Sequence, residues 1–228
     1  MKKAIILCSG GLDSVTTAYH VKKELDYDEL FILFFNYAQK GLEMERESSK
    51  KCASDLNGEF MEINLEWLGK ISDSLINKEG EIKRLVKDDL KNTQEYAKVW
   101  YVPNRNSIFL NCAIALADSL GGGDLFVGFK SEGGENYPDT TPGFIEEINK
   151  ISERVSSNKI KIIAPLIEKD KEDIVKMGKE LEIDCRDTFS CDIGKGIHCG
   201  YCLSCKLRQQ GFYWADIKDP TKYQEMTD

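Results

Sequence analysis

No apolar stretch in this chain approaches the roughly 18 residues that a membrane-spanning helix requires. Basic residues are not in excess either. The 39 Asp and Glu outnumber the 31 Lys and Arg, giving a formal charge of -8. That balance argues against a sequence-blind grip on phosphate backbones, so nucleic acid is not an expected partner. No secretory leader is expected. Met1-Lys2-Lys3-Ala4-Ile5-Ile6-Leu7-Cys8 begins like one, but its apolar part stops at Ser9-Gly10-Gly11 and no small-residue cleavage site follows. A cytoplasmic location without membrane association is the expectation. Internal repeats and low-complexity tracts are absent. Of the 228 residues, 41% are apolar and 31% charged, which disfavours disorder. The length suits one domain with a small appendage, able to bury a core without disulfides.

What is present reads as alternating strands and helices. Residues 4–8 form a short apolar run, followed at once by Gly10-Gly11. Val15, Ala18, Val21 and Leu25 then recur at helical spacing. Residues 30–35 are a second buried strand, 42–57 a charged helix stopping near Asn57-Gly58, and 60–65 an alternating third strand. This order implies a parallel sheet with right-handed crossovers. Residues 66–100 are charged and weakly periodic, an insertion expected to cover one end of the sheet. Ile108, Ala113, Ala115, Leu116 and Leu120 make 105–120 a core helix, ended by Gly121-Gly122-Gly123. Strands are expected at 125–127 and 160–163, a ligand-binding loop at 129–143, and a last sheet-packing helix at 170–181. The fold class is therefore α/β with a five-stranded parallel sheet. Residues 1–183 form its main domain and 184–228 a cysteine-rich terminal segment.

Ser9-Gly10-Gly11-Leu12-Asp13-Ser14 lies between the first strand and the first helix. Two glycines permit a tight turn and close ligand approach. The helix start aims free N–H groups and a positive dipole end at the loop, and Ser9 and Ser14 add hydroxyls. This pattern builds a site for phosphate or pyrophosphate. It is neither Gly-x-x-x-x-Gly-Lys-Ser/Thr nor Gly-x-Gly-x-x-Gly. Asp13 in an anion site is explained by a magnesium ion travelling with a nucleotide. An ordinary capped turn is the plainer alternative.

Eight cysteines are present, and Cys191, Cys199, Cys202 and Cys205 fall within fifteen residues. Two Cys-x-x-Cys steps let sulfurs from tight turns reach one tetrahedral ion, with Gly194, Gly196 and Gly200 supplying turns. Four thiolates close the shell, which marks a structural zinc site. An iron–sulfur cluster fits the ligand type as well. His198 and Cys185 are weaker candidate ligands. Phe212-Tyr213-Trp214 suits either a homodimer contact or helix packing.

The loop resembles the Ser-Gly-Gly-x-Asp-Ser signature of the ATP pyrophosphatases, the PP-loop enzymes, which pass AMP to an acceptor oxygen. Further segments stand along nearly the whole chain: Val102-Pro103-Asn104-Arg105-Asn106 with Phe109-Leu110, Tyr137-Pro138-Asp139, Thr188-Phe189-Ser190-Cys191, Cys199 to Arg208, and Asp219-Pro220-Thr221. In order and spacing they resemble one family of that group: 7-cyano-7-deazaguanine synthase, the QueC family of queuosine biosynthesis. The resemblance implies a Rossmann-like adenine-nucleotide hydrolase fold with ATP, Mg2+ and Zn2+ as cofactors. It places Cys8, Ser9, Gly10, Gly11, Leu12, Asp13 and Ser14 at the nucleotide. Asp13, Ser14, Arg105 and Lys171 take catalytic roles, and Asn106, Tyr137 and Asp139 take substrate roles. For Lys171 the alternative is a solvent-facing lysine, and for Arg105 a surface ion pair. The implied reaction adenylates 7-carboxy-7-deazaguanine, opens the adenylate with ammonia, and dehydrates the amide to a nitrile at the expense of a second ATP.

The chain departs from the family pattern where Thr140-Thr141 stands for Cys-Arg and where Gly133 and Glu135-Asn136 stand for Asp and Ser-Gly. Asn36-Tyr37-Ala38-Gln39-Lys40-Gly41 replaces a usual Tyr-Gly-Gln-x-His, and Asp192 replaces a tyrosine. These departures keep open an alternative expectation: a paralogue transferring the deazapurine carboxylate to another amine, such as a protein amino terminus, without forming a nitrile. A tRNA-modifying adenylase and a zinc-ribbon nucleic-acid module fit the acidic composition less well.

Overall fold

The computed structural model describes residues 2–86, 89–90, 93–130, 137–194 and 196–224. Five strands, β1 (Lys3–Leu7), β2 (Glu29–Asn36), β3 (Glu59–Asn64), β4 (Asp124–Val127) and β5 (Ile162–Ile163), pair in parallel in the order β3-β2-β1-β4-β5. The fifth strand is shorter than the 160–163 run suggested. Alternation along the strands divides the core. Ala4, Ile6, Ile32 and Phe126 face one side, while Ile5, Leu33, Leu125 and Val127 face the other.

On the first side lie α1 (Leu12–Glu24), α2 (Leu42–Asp55), α7 (Lys171–Glu180) and α8 (Leu203–Trp214), through Val15, Ala53, Ile174 and Phe212. On the second lie α3 (Glu66–Ile71), α4 (Gln94–Val99), α5 (Arg105–Ser119) and α6 (Pro142–Val155), through Leu68, Tyr96, Leu110 and Ile148. The insertion is therefore packed rather than a loose cover: Leu68, Ile76, Leu85, Tyr96 and Trp100 are buried in this second core. Among the described residues no helix is long and apolar enough to cross a membrane.

Two helices depart from the sequence expectation. The segment 129–143 does not run on as loop. Pro138–Thr140 forms a 3-10 turn, and α6 starts at Pro142. Thr141 caps α6, its Oγ1 accepting from the Phe144 amide at 3.3 Å. Proline in the first turn behind a threonine cap is a helix start, although in composition it looks like loop. Nor is 170–181 the last helix on the sheet. Asp170 opens α7 with a reciprocal capping box to Asp173, but α8 follows and lays Phe212 into the same core.

The connection from β1 leads outward to β2 and β3, whereas β4 and β5 lie on the opposite side of β1. The order reverses between β1 and β4, and the crevice at the carboxyl ends of these strands is where open parallel sheets receive ligands. The loop at residues 8–11 emerges there. Gly128, just after β4, lies against it: a Cβ there would stand 3.0 Å from the Ser14 amide nitrogen.

Candidate active site

The loop is built from its own hydrogen bonds. Gly10 has φ +75°, and a Cβ there would stand 2.6 Å from the Glu45 carbonyl, so glycine is required for conformation and for space. Ser14 Oγ accepts from the Ser9 amide at 3.2 Å and donates to the Gly11 carbonyl at 3.1 Å. Its proton is thus spent inside the loop. The Cys8 thiol donates to the same oxygen at 3.7 Å. Ser49 Oγ donates to the Cys8 carbonyl at 2.9 Å, pinning α2 behind the loop.

Asp13 does not stand alone. Lys171 Nζ reaches its two carboxylate oxygens at 2.5 and 2.7 Å. Lys171 is not solvent-facing, since its side chain is only 15% exposed. Burial pulls its ammonium below the ordinary value, and the Asp13 carboxylate opposes that pull.

A cavity of about 320 Å³ opens above the loop and extends away from it. Its loop end holds Ser9, Gly11, Asp13, Lys171 and Ser190; its far end holds Tyr37, Gln39, Glu45, Arg105, Asn106 and Asp192. Phe35 and Phe109, also in its wall, stack with centroids 4.2 Å apart. Arg105 begins α5 behind Asn104, whose φ of +52° turns the chain into the helix. Its guanidinium lies 3.5 Å from the Tyr37 hydroxyl, rather than in a surface ion pair. Asn106 is buried and donates to the Asp139 carbonyl at 3.4 Å. Tyr137 and Asp139 stand beside the cavity rather than among its lining residues, near enough for the Asp139 charge to act on Arg105. The departures at Gly133 and Glu135-Asn136 lie outside the described residues.

Sequence reasoning missed Glu45. It sits in α2, where alternating charge reads as a solvated face, yet its carboxylate turns into the cavity and accepts from Gln39 Nε2 at 2.9 Å. Burial pushes its carboxyl up to about 7, and the Asp192 charge adds to this; Gln39 and Arg105 act in the other direction. Gln39 lies in the Asn36–Gly41 segment that departs from the family pattern. Its amide also donates to the Phe35 carbonyl at 3.0 Å, so Glu45 is held at a fixed angle.

Cys191, Cys199, Cys202 and Cys205 converge, every sulfur within 4.8 Å of the others. Tetrahedral zinc with bonds of about 2.3 Å has sulfur–sulfur edges of about 3.8 Å. The Cys199–Cys205 and Cys202–Cys191 separations are 3.9 and 4.0 Å, so the donor set fits such an ion. Backbone amides of Gly194 and Tyr201 donate to the Cys191 and Cys199 sulfurs, which favours thiolates. His198 is not a fifth candidate. Its Nε2 accepts from the Ser190 amide at 3.1 Å, and burial beside Arg208 lowers the imidazole to about 4. Cys185 is turned away, toward the Ile183 carbonyl at 3.8 Å.

The cysteine segment is also tied to the loop. The Phe189 amide donates to the Gly10 carbonyl at 2.8 Å, and Ser190 Oγ accepts from the Leu12 amide at 3.4 Å. Tyr96 Oη accepts from the Leu203 amide at 3.1 Å, which joins the insertion to the same segment.

A glycine-bent anion loop at the switch point of a parallel sheet, backed by a four-cysteine cluster, defines an α/β protein with a nucleotide-type crevice. The family model for queuosine biosynthesis protein QueC matches residues 3–216. The chain is 39% identical to a 7-cyano-7-deazaguanine synthase of Methanococcus maripaludis, over 97% of this chain and 98% of that one. It is 37% identical to one of Methanobrevibacter smithii, over 98% and 99%, and 36% identical to one of Pyrococcus horikoshii, over 98% of each. The chain belongs to the QueC family.

Proposed function

We propose that the protein is an ATP-dependent ligase that makes 7-cyano-7-deazaguanine from 7-carboxy-7-deazaguanine and ammonia, releasing AMP and pyrophosphate. The observation that carries this reading is one cavity joining the glycine loop to an aromatic and polar chamber, in a chain that spans nearly the full length of relatives bearing that name.

The loop end suits the triphosphate. Ser9 and the amides at the start of α1 would face the phosphates, with the Lys171 ammonium beside them. Asp13 is the carboxylate positioned to hold a nucleotide-borne magnesium ion, which would supply charge neutralisation for departing pyrophosphate. The far end suits the deazapurine. Phe109 offers a face for the ring. Glu45 is an acceptor for adjacent ring N–H and amino donors, and Arg105 a planar donor for the carboxylate or an exocyclic oxygen. The carboxylate attacks the α-phosphate and displaces pyrophosphate. Ammonia then displaces AMP and loses a proton, leaving an amide. The amide oxygen displaces a second pyrophosphate, and loss of AMP and both nitrogen-bound protons leaves the nitrile. Positioning and charge stabilisation are the protein's main tasks. The four cysteines would hold zinc as a structural ion that fixes the segment behind the loop.

Mass spectrometry of products from ATP, magnesium, ammonia and 7-carboxy-7-deazaguanine tests this reading. The nitrile is expected. Adenylation of the carboxylate that yields neither amide nor nitrile with free ammonia would overturn it.

A further inference from the structure

Ser190 stands in the cysteine segment, far in sequence from the loop, yet its hydroxyl borders the loop end of the cavity. A Cβ on Gly11 would lie 3.9 Å from Ser190 Oγ. Two donors already point at that oxygen: Arg208 Nη1 at 3.0 Å and the Leu12 amide at 3.4 Å. A serine hydroxyl has two acceptor positions and one proton. With both acceptor positions engaged, the proton must be given away, and among the described residues no acceptor receives it. The side chain is held from every direction. Its own amide donates to His198 Nε2, and Arg208 is locked by Thr188 Oγ1 at 2.8 Å, the Cys185 carbonyl at 2.7 Å and Thr221 Oγ1 at 2.8 Å.

Arg208 supplies a second and independent observation. It is 1% exposed, and each of these hydrogen bonds goes to a neutral oxygen. Among the described residues no carboxylate lies within ion-pair distance of it. A buried guanidinium without a direct ion pair is costly, and its Nη1 connects to the loop end of the cavity through Ser190 Oγ, which lines it. The cation polarises the Ser190 O–H toward that space.

We propose that Ser190 donates its hydroxyl proton to a nucleotide phosphate at the loop, with Arg208 as the positioning residue that fixes and polarises it. The terminal segment thereby contributes a side chain to the ATP site itself. This rests on the nucleotide reading above and adds to it a phosphate contact outside the loop motif.

The test uses the full-length, metal-loaded chain and compares the binding of ATP with that of adenosine by calorimetry. Absence of ATP binding in the unmodified chain would sink the nucleotide reading itself. Where that chain binds ATP, Ser190→Ala is expected to weaken ATP roughly 10–100-fold, the range for a hydrogen bond to a charged group. Adenosine affinity and metal content should be unchanged, the melting temperature should fall only modestly as Arg208 and the Leu12 amide lose one acceptor, and Ser190→Thr should restore ATP affinity. Equal weakening of ATP and adenosine, unchanged ATP affinity in Ser190→Ala, or no rescue by threonine would overturn the proposal. Amide exchange on the unmodified chain gives a reading that needs no variant. ATP but not adenosine should slow exchange across residues 185–191, and equal protection by both would count against the proposal.

Discussion

Asp13 and Lys171 form the tightest polar contact of the loop, and each also faces the cavity. Here they pair with each other; under the proposed function, a bound nucleotide would offer the carboxylate a metal and the ammonium a phosphate. Asp13→Asn preserves shape and removes charge. Pyrophosphate release should fall by roughly 100-fold or more, as when one preorganised charge is lost, while circular dichroism stays unchanged. Undiminished release would remove the loop from the chemistry. Glu45 gives a prediction in pH. Its carboxyl titrates at about 7 instead of 4.5 because burial penalises the charged form. The folded state thus keeps a proton that the unfolded state has lost, so this group's contribution to stability falls as pH rises from 4.5 through 7. Binding a ring with N–H donors needs the carboxylate, so the KM for the deazapurine should drop as pH rises through about 7. In Glu45→Gln that pH dependence should flatten and KM should rise about tenfold or more. A wild-type KM that is flat between pH 6 and 8 would exclude this role.

At the scale of elements, the clearest sequence signals were those of local chemistry. The Gly-Gly turn after an apolar strand and the close-set cysteines each announce a structure that few other conformations satisfy. What stayed hidden was decided by tertiary contact. The α6 helix begins among Gly, Pro and Thr, and its cap shows only when Thr141 and Phe144 are seen to bond. Glu45 lies among charged neighbours in α2, and nothing in the local pattern says that Gln39 turns it inward. Ser190 and Arg208 read as companions of the cysteines, yet they reach the loop through Leu12. That connection joins the four-cysteine cluster to the glycine loop. The Phe189–Gly10 and Ser190–Leu12 bonds tie the four-cysteine segment to the loop, and a metal ion bound by the four buried sulfurs would hold that segment together. One zinc per chain is expected by metal analysis. Its removal by a chelator should loosen residues 184–224, read as faster amide exchange, and should weaken ATP binding in parallel. Iron with acid-labile sulfide would refute the zinc assignment, and full ATP affinity in the stripped protein would refute the coupling.

For the whole molecule, the net charge of -8 gives no general affinity for nucleic acid. The crevice is not simply basic either: Lys171 and Arg105, with Arg208 behind Ser190, share it with the carboxylates of Asp13, Glu45 and Asp192. Attraction of a small polyanion there therefore rests on individually placed donors at the loop rather than on a broad positive field. The parallel sheet was legible because strand runs and glycine stops recur at regular intervals. The single cavity linking loop to aromatic chamber was not, because it is assembled from α2, α5, α7 and the terminal segment at once. That joined geometry constrains the reaction sequence. If carboxylate and amide are activated in turn at the same loop, each activation consumes one ATP. Supplied with 7-carboxy-7-deazaguanine and ammonia, the protein should release two AMP for every nitrile. Supplied with the 7-carboxamide and no ammonia, it should still form nitrile, now with one AMP. Asp13→Asn should slow both reactions by similar factors, because both use the loop. Nitrile from the acid and ammonia without turnover of the added amide would place the dehydration on a bound intermediate rather than a free amide, and amide without nitrile from either substrate would confine this chain to amide formation. Quantifying AMP against deazapurine products by chromatography distinguishes these outcomes in a single pair of reactions.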